Sequence, residues 1–393
     1  MIKLSKGLMI PVVALMLALN PAPARPQASS AEGAQPTPKK AEEVYKNIQV
    51  LKGVPADQII PAMQFIAASL GVQCTYCHVE HAFDKDDKEN KKTARKMMQM
   101  MFAIDKDNFS GRQDVTCNTC HNGTAKPAAI PVIASAMPMP QPARAEGGEM
   151  RGGMNPKGGA AAKAPAVKFP SIGEVLNKYV QALGGAEALA RITTRVEKGT
   201  LSGFGPHSVP IEIYSKAPDK RVSITQMQHG PSYTAFNGQS GWMTGFGGHI
   251  RDMEGAEIYA ARLDADFQYL SDVRKVFRGV RMTKPEKIGG KEMWVLLGIT
   301  PGQPPVKLYF DKDSGLLVRE VRYAQTPVGR YPTQVDFADY READGVRVPF
   351  RWTIARPGNS FTIQVSEIQQ NVPLDDSKFE KPAAPPEPKP QGE

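Results

Sequence analysis

The residues best suited to chemistry in this 393-residue chain are its four cysteines, which fall into two groups of identical spacing. Each group reads Cys-x-x-Cys-His, and the two are Cys74-Thr75-Tyr76-Cys77-His78 and Cys117-Asn118-Thr119-Cys120-His121. This spacing is the attachment signature of c-type haem. The two thiols add to the vinyl groups of the porphyrin, and the adjacent histidine meets the iron from one face. The sequence therefore predicts two covalently attached haems, each with one of these histidines as the proximal ligand.

Two other kinds of site use paired cysteines. A four-cysteine zinc site is disfavoured because the separation of 43 residues between the groups exceeds the usual ribbon spacing. It also leaves a histidine after each group unexplained. A thioredoxin-like motif normally occurs once, near a β-α-β pattern, and the sequence shows no such pattern. Covalent haem attachment uses every cysteine of the chain and is the favoured interpretation.

A methionine precedes the first group on a segment with helical spacing. Residues 56–70 place Ile59, Met63 and Leu70 on one face. Met63 lies eleven residues before Cys74, about three helical turns. Such a methionine either packs in a core or binds iron, and the spacing taken alone favours core packing.

The second group follows the same order of elements. Thr93 is a candidate N-cap for a helix that precedes Cys117. The methionines of this helix are Met97, Met98, Met100 and Met101. The chain thus repeats a methionine-bearing helix, a loop and a Cys-x-x-Cys-His group.

These repeats resemble the haem-binding units of the photosynthetic reaction centre cytochrome c subunit family. The resemblance is carried by residues 63–78, 94–100 and 115–123 and covers roughly residues 43–125. The family normally has four haem units, whereas this chain has two. The loop 105–116 has no histidine, in keeping with the absence of the family's haem that takes a second histidine. The resemblance implies haem ligation but gives little support for a role in photosynthesis.

The resemblance also implies the distal ligands. In the family, the methionine of the helix before each Cys-x-x-Cys-His group binds the iron. By position this is Met63 for the haem on His78 and Met97 for the haem on His121. Two other methionines remain alternatives for the second haem, namely Met100 and Met101.

The charged run 84–92 near the first group is most simply a solvated loop, with a docking patch for a redox partner as the alternative. His81, three residues after His78, is expected to be a surface or propionate-contacting residue, with a competing iron ligand as the alternative. The formal charge of +9 does not indicate a class of binding partner. Residues 42–126 contain eleven basic and eleven acidic residues, and the excess of basic residues is spread over other segments. No predicted folded domain has the cluster of basic residues that nucleic-acid binding requires, so nucleic acid is not an expected partner.

From residue 169 onward, helical spacing over 171–192 gives way to many short β-type segments separated by turns. This pattern resembles the LolA/LolB-like lipoprotein carrier family, and the similarity is carried by residues 179–185, 308–319 and 335–349. The resemblance implies an incomplete β-barrel with helices on its concave side. That face either holds an apolar ligand or serves only as a scaffold.

The N-terminus has the form of a secretory signal. Lys3 and Lys6 precede the apolar run 8–19, and Ala22-Pro23-Ala24 is a cleavage pattern. An uncleaved anchor helix is the alternative. The predicted divisions are a signal peptide at 1–24, a disordered leader at 25–41, a dihaem cytochrome domain at 42–126, a flexible linker at 127–168, a LolA-like β domain at 169–381 and a Pro-rich tail at 382–393.

The expected fold is therefore multidomain, with a small all-α c-type cytochrome domain followed by an α+β domain that has a curved antiparallel sheet. The expected function is single-electron transfer in the periplasm, without enzymatic activity. Redox proteins are the expected partners, and the C-terminal domain is expected to bind a membrane complex or an apolar ligand. The alternatives are a haem enzyme such as a peroxidase, and a carrier of lipoprotein or another hydrophobic ligand with a redox domain.

Overall fold

The computed structural model describes residues 38–127, 169–203, 205–245, 248–267, 269 and 273–382. Outside these residues lie the predicted signal peptide, the leader up to residue 37, the linker from residue 128 and the tail from residue 383. The described residues all fall in one compact unit that begins at Pro38. The domain boundaries given above stay predictions.

The cysteine-bearing segment is helical, as expected. Its α-helices are α1 (Ala41–Val44), α2 (Ile59–Leu70), α3 (Glu89–Asn108) and α4 (Cys117–His121), and its 3-10 helices are Ala56–Gln58 and Cys74–Tyr76. The predicted N-cap at Thr93 is wrong, because α3 begins four residues earlier. Lys88 has the extended backbone of a cap residue, and Glu89 places a negative charge in the first turn, where the helix dipole favours it. Among the described residues, no helix combines the length and apolar character needed to cross a membrane.

The remainder of the described chain has the expected α+β architecture. Its helices are α5 (Ile172–Ala182), α6 (Ala186–Ala190), α7 (Gly255–Ala265) and α8 (Val273–Val276). Its strands are β1 (Thr194–Ser202), β2 (Val209–Lys216), β3 (Lys220–Met227), β4 (Gly230–Asn237), β5 (Gly241–Thr244), β6 (Ile250–Asp252), β7 (Gly279–Met282), β8 (Glu286–Ile288), β9 (Lys291–Ile299), β10 (Val306–Asp311), β11 (Leu317–Thr326), β12 (Gly329–Ala343), β13 (Val346–Arg356) and β14 (Asn359–Gln370).

The strands form a single antiparallel sheet in the order β6-β5-β4-β3-β2-β1-β14-β13-β12-β11-β10-β9-β7, with β8 paired to β9. The sheet is not closed, since β6 and β7 stand at opposite ends of this order. One face of β9–β11 packs against α5, α7 and α8, and Tyr179 of α5 meets Phe310 edge-on at 5.3 Å. The helices therefore bury one side of an open sheet, the arrangement expected of an incomplete barrel.

The hairpin between β11 and β12 enters the core of the cysteine-bearing segment. Loop tips are normally exposed, but Val328 at this tip is fully buried. It packs in a cluster with residues from several helices of that segment: Ala41, Leu51, Ile59, Ala62, Met98 and Met101. The sheet thus supplies a side chain to a core that the segment does not complete alone.

Polar contacts hold the same hairpin in place. The Gln113 side-chain amide donates to the carbonyl oxygens of Thr326 (3.0 Å) and Pro327 (2.7 Å). Its own oxygen accepts a hydrogen bond of 2.9 Å from Gln325. A second junction lies at α7, where the Asp57 carboxylate accepts a hydrogen bond from the backbone N–H of Ala256 at 3.4 Å. The two parts of the chain are therefore held together at separate points.

Gly329 provides a test of this junction. A Cβ atom added there would lie 2.6 Å from the ring of Phe65, at a backbone φ of +142°. We expect Gly329→Ala to lower the free energy of unfolding by about 1–3 kcal/mol more than a control, because the ring and backbone cannot both stay in place. Gly358→Ala is the matched control, since this hairpin glycine also has a positive φ but no atom within 4 Å of the added Cβ. Denaturant titration of both variants measures the difference, and equal losses would contradict the close packing of Phe65.

Candidate haem-binding sites

The first Cys-x-x-Cys-His group begins with a single turn of 3-10 helix. The His78 backbone N–H donates to the Cys74 carbonyl at 3.0 Å, so the chain turns back on itself between the first cysteine and the histidine. Cys74 is exposed and Cys77 is half-buried. Burial raises the pKa of the Cys77 thiol. The group thus presents one sulfur to solvent and holds the other against the protein.

The hydrogen bonding of His78 determines which ring nitrogen is available. Its Nδ1 atom lies 2.9 Å from the carbonyl oxygen of Phe83. A carbonyl oxygen can only accept, so Nδ1 carries the proton and Nε2 keeps its lone pair. Partial burial lowers the pKa of His78, which favours the neutral imidazole that a metal ion binds. The Phe83 carbonyl therefore fixes the tautomer that can ligate iron through Nε2.

The second group forms α4 and repeats this arrangement. Thr116 precedes the helix, and its backbone N–H donates to the Thr119 hydroxyl at 3.0 Å. His121 Nδ1 lies 3.0 Å from the carbonyl oxygen of Thr124, so Nδ1 is the donor and Nε2 is the nitrogen that could bind a metal ion. Cys117 is half-buried, and burial raises the pKa of its thiol, whereas Cys120 is exposed. Both groups thus have the same donor set, with Nδ1 of the histidine placed against a backbone carbonyl.

The second group is held against the end of α2. Gly71 ends that helix in the left-handed conformation, with a φ of 64°. A Cβ atom there would lie 2.2 Å from the carbonyl oxygen of Gly123. The Gly123 backbone N–H donates to the Ser69 carbonyl at 2.8 Å. Only glycine permits so close an approach, which places His121 two residues from a fixed contact with the helix that carries Met63.

The methionines of α3 fall on two faces of the helix. Met98 and Met101 are buried in the core beside Val328, at 7% and 5% exposure. Met97 and Met100, in contrast, are 40% and 47% exposed. Core packing therefore accounts for the first pair but not for the second. Met63 on α2 is partly buried against the same core. The ligand roles of Met63 and Met97 stay predictions, and the burial of Met101 makes it the less suited alternative.

The charged run after the first group is more ordered than expected. Glu89 to Lys92 open α3, so the expectation of a solvated loop is wrong for this part. The Lys91 ammonium donates to the carbonyl oxygens of Phe83 (2.9 Å) and Lys85 (2.7 Å). Asp86 lies 3.1 Å from the same ammonium and 2.8 Å from an Arg95 nitrogen. The hydrogen bond from Arg95 holds the pKa of Asp86 well below its usual range.

The exposure of His81 was predicted from the sequence, whereas the backbone carbonyl partners of the two proximal histidines were not. The His81 side chain is 92% exposed, as expected of a surface residue. The roles of Phe83 and Thr124 as carbonyl partners were not predicted, because backbone carbonyls leave no trace in residue type. The Gln113 contacts with the hairpin were missed for the same reason, since its partners are backbone atoms more than 200 positions away.

The chemistry of the donor set fits c-type haem. None of the four cysteines forms a disulfide, and each pair is followed by a histidine whose Nδ1 is bonded to a backbone carbonyl, so Nε2 is the nitrogen left for a metal ion. Within residues 38–127, which contain all four cysteines, the side chains form no cluster of three or more His, Cys, Asp or Glu residues suited to a metal ion. The thiols and the histidine of each group are the donors that c-type haem attachment uses.

Comparison with known proteins supports the sequence resemblance. Residues 14–165, less than half of the chain, match the family described as photosynthetic reaction centre cytochrome C subunit. The photosynthetic reaction center cytochrome c subunit of Thermochromatium tepidum is 33% identical over 102 residues, which are 25% of each chain. Cytochrome c-554 of Chloroflexus aurantiacus is 37% identical over 83 residues, or 19% of this chain and 20% of that protein. The chain thus spans about a quarter or less of the curated relatives it matches, and the predicted resemblance is confirmed.

Solved structures resemble the sheet-bearing part. A DUF1329 family protein from Desulfovibrio piger has a TM-score of 0.38 at 15% identity, covering 53% of this chain and 97% of that chain. A LolA superfamily protein from Nitrosomonas europaea also has a TM-score of 0.38, at 12% identity, covering 54% and 99%. The second of these bears the name of the LolA family whose resemblance the sequence predicted. At such values the likeness carries no argument about function.

Proposed function

We propose that this protein is a dihaem c-type cytochrome that carries single electrons. The observation that carries the proposal is the matched geometry of His78 and His121. Each donates its Nδ1 proton to a backbone carbonyl three to five residues downstream and keeps Nε2 for iron. Two groups with this arrangement, each with a pair of free thiols, support two equivalent attachments rather than one incidental motif.

The chain's own residues would hold each haem at four points. The two cysteine sulfurs would hold the porphyrin through thioether bonds, and the histidine would bind the iron. A methionine from the preceding helix, Met63 or Met97, would be the second protein ligand. When bound, each haem supplies an iron that takes up and releases one electron. With a histidine and a methionine both bound to the iron, no position would remain for oxygen or peroxide, which would favour electron transfer over catalysis.

The sheet-bearing part acts, in this proposal, as a scaffold for the haem segment. Val328 completes the core beneath α3, and Gln113 ties the loop before Cys117 to the hairpin. The helices α5, α7 and α8 pack directly on β9–β11. These contacts support a positioning role more than the carriage of an apolar ligand. The secretory form of the N-terminus supports export to the periplasm, where soluble or membrane-bound redox proteins would be the partners.

Intact mass spectrometry and carbon monoxide binding test the proposal together. We expect the mass of the mature chain to exceed that of the polypeptide by two haems. The reduced protein should show almost no spectral change with carbon monoxide, because methionine occupies each sixth position. Ready binding at one haem would instead favour a peroxidase-like enzyme. A mass without haem would contradict the proposal altogether.

A further inference from the structure

The two proximal histidines differ in what else their carbonyl partners bind. The Phe83 carbonyl accepts from His78 Nδ1 and also from the Lys91 ammonium, at 2.9 Å in each case. Among the residues that the structure describes, no lysine or arginine nitrogen donates to the Thr124 carbonyl, the partner of His121. The first site therefore has a cation two hydrogen bonds away from its proximal ligand, and the second does not.

This cation is built into the protein. The Lys91 side chain is only 10% exposed, and its ammonium has three acceptors, which are two carbonyls and Asp86. Arg95, also largely buried, shares Asp86 at 2.8 Å. Two cations thus surround one carboxylate, and the network keeps a net positive charge beside the first site. Low exposure limits screening of this charge by solvent and salt.

The Lys91 ammonium would affect the iron in two ways, and both would raise the reduction potential. A carbonyl that already accepts from an ammonium is a weaker acceptor for the histidine N–H, so the imidazole donates less electron density to iron. A nearby positive charge also disfavours the ferric state relative to the ferrous state. Hydrogen bonding around the axial ligand is a recognised means by which a protein sets the haem potential.

We propose that Lys91 raises the reduction potential of the haem on His78 above that of the haem on His121. This inference rests on the proposed function, and it assigns a direction to electron movement inside the protein. An electron entering at the second haem would move to the first. Lys91 is a positioning and charge-bearing residue, since it acts through the Phe83 carbonyl and does not touch the haem ligand itself.

Redox titration of the full chain tests this assignment with three variants. We expect Lys91→Gln to lower the higher of the two midpoint potentials and leave the lower one in place. The fall should be about tenfold in the equilibrium constant for reduction, or about 59 mV for one electron. Lys91→Arg should keep the higher potential because it keeps the charge. Lys92→Gln is the matched control, since this neighbouring lysine is 48% exposed and pairs with Glu89 on the surface.

Several outcomes would overturn the inference. If the higher midpoint potential is unchanged in Lys91→Gln, the charge of Lys91 does not set that potential. An equal fall in Lys91→Arg would show that shape, not charge, matters. A shift of the lower potential, or the same shift in Lys92→Gln, would contradict the assignment to the first haem. A wild-type mass with fewer than two haems would instead contradict the proposed function, which separates the two failures.

Discussion

Replacing Cys117 and Cys120 together with serine is expected to remove one haem and leave the other attached. The second group would lose both thioether bonds, and covalent attachment would then depend on Cys74 and Cys77 alone. Intact mass should fall by one haem beyond the change of the two sulfur atoms. The absorbance of the remaining haem should stay that of a methionine-ligated, six-coordinate iron, because the first group has its own donor set.

The reciprocal pair, Cys74→Ser with Cys77→Ser, is the matched control. It should also remove one haem, and the haem that remains should be the second one. The single midpoint potential measured should then be the wild-type potential that is missing in the Cys117 and Cys120 variant. Together the two variants assign each potential to one attachment site. A chain that loses both haems in either variant would show that the groups are not independent. A chain that loses neither would contradict thioether attachment through these cysteines.

Stability need not fall equally in the two variants. Cys117 packs against the core that contains Val328, whereas Cys74 is exposed. A serine hydroxyl at position 117 places a polar group among apolar neighbours, which costs about 1–3 kcal/mol without a hydrogen-bond partner. The variant of the second group is therefore expected to unfold at lower denaturant concentration, even before the loss of haem is counted.

The attachment groups could be predicted from the sequence because their chemistry is local. Five consecutive residues contain both thiols and the histidine, and no distant contact is needed to recognise them. The same holds for α2, whose apolar spacing over residues 56–70 gave the helix to within a few residues. The helical spacing over residues 171–192 indicated α5 and α6 for a similar reason.

Features that depend on distant contacts could not be predicted. The turn Pro327-Val328 looks like any exposed hairpin tip, and only the folded chain shows that Val328 is buried among helices nearly 230 or more positions away. The start of α3 was misplaced because Thr93 is a good cap residue in isolation. Lys91, however, finds three acceptors only when the chain is helical from Glu89. Contacts that form only in the folded chain thus outweighed residue preference at both places, over long range at Val328 and within eight positions at Lys91.

Met97→Ala is expected to lower the midpoint potential of the second haem by on the order of 0.1 V, within the ~0.8 V over which axial ligands set haem potentials. A thioether stabilises the ferrous state, and its loss opens the sixth position. Carbon monoxide should then bind the second haem of the reduced variant. Because Met97 is 40% exposed, whereas Met98 and Met101 are buried, its loss should leave no cavity in the core that those two side chains fill.

Two neighbouring methionines provide the controls for this variant. Met98 is buried at 7% exposure, so Met98→Ala should cost about 2–5 kcal/mol of stability through the cavity it leaves, while both haems keep their spectra. Met100 lies on the exposed side with Met97. If Met97 is the ligand, Met100→Ala should change neither the midpoint potential of the second haem nor the free energy of unfolding strongly. A fall in potential in Met100→Ala, with Met97→Ala unchanged, would move the ligand one helical turn along α3. A fall in Met98→Ala instead would mean that α3 is rotated when haem is bound, since Met97 and Met98 cannot face the same iron from one regular helix.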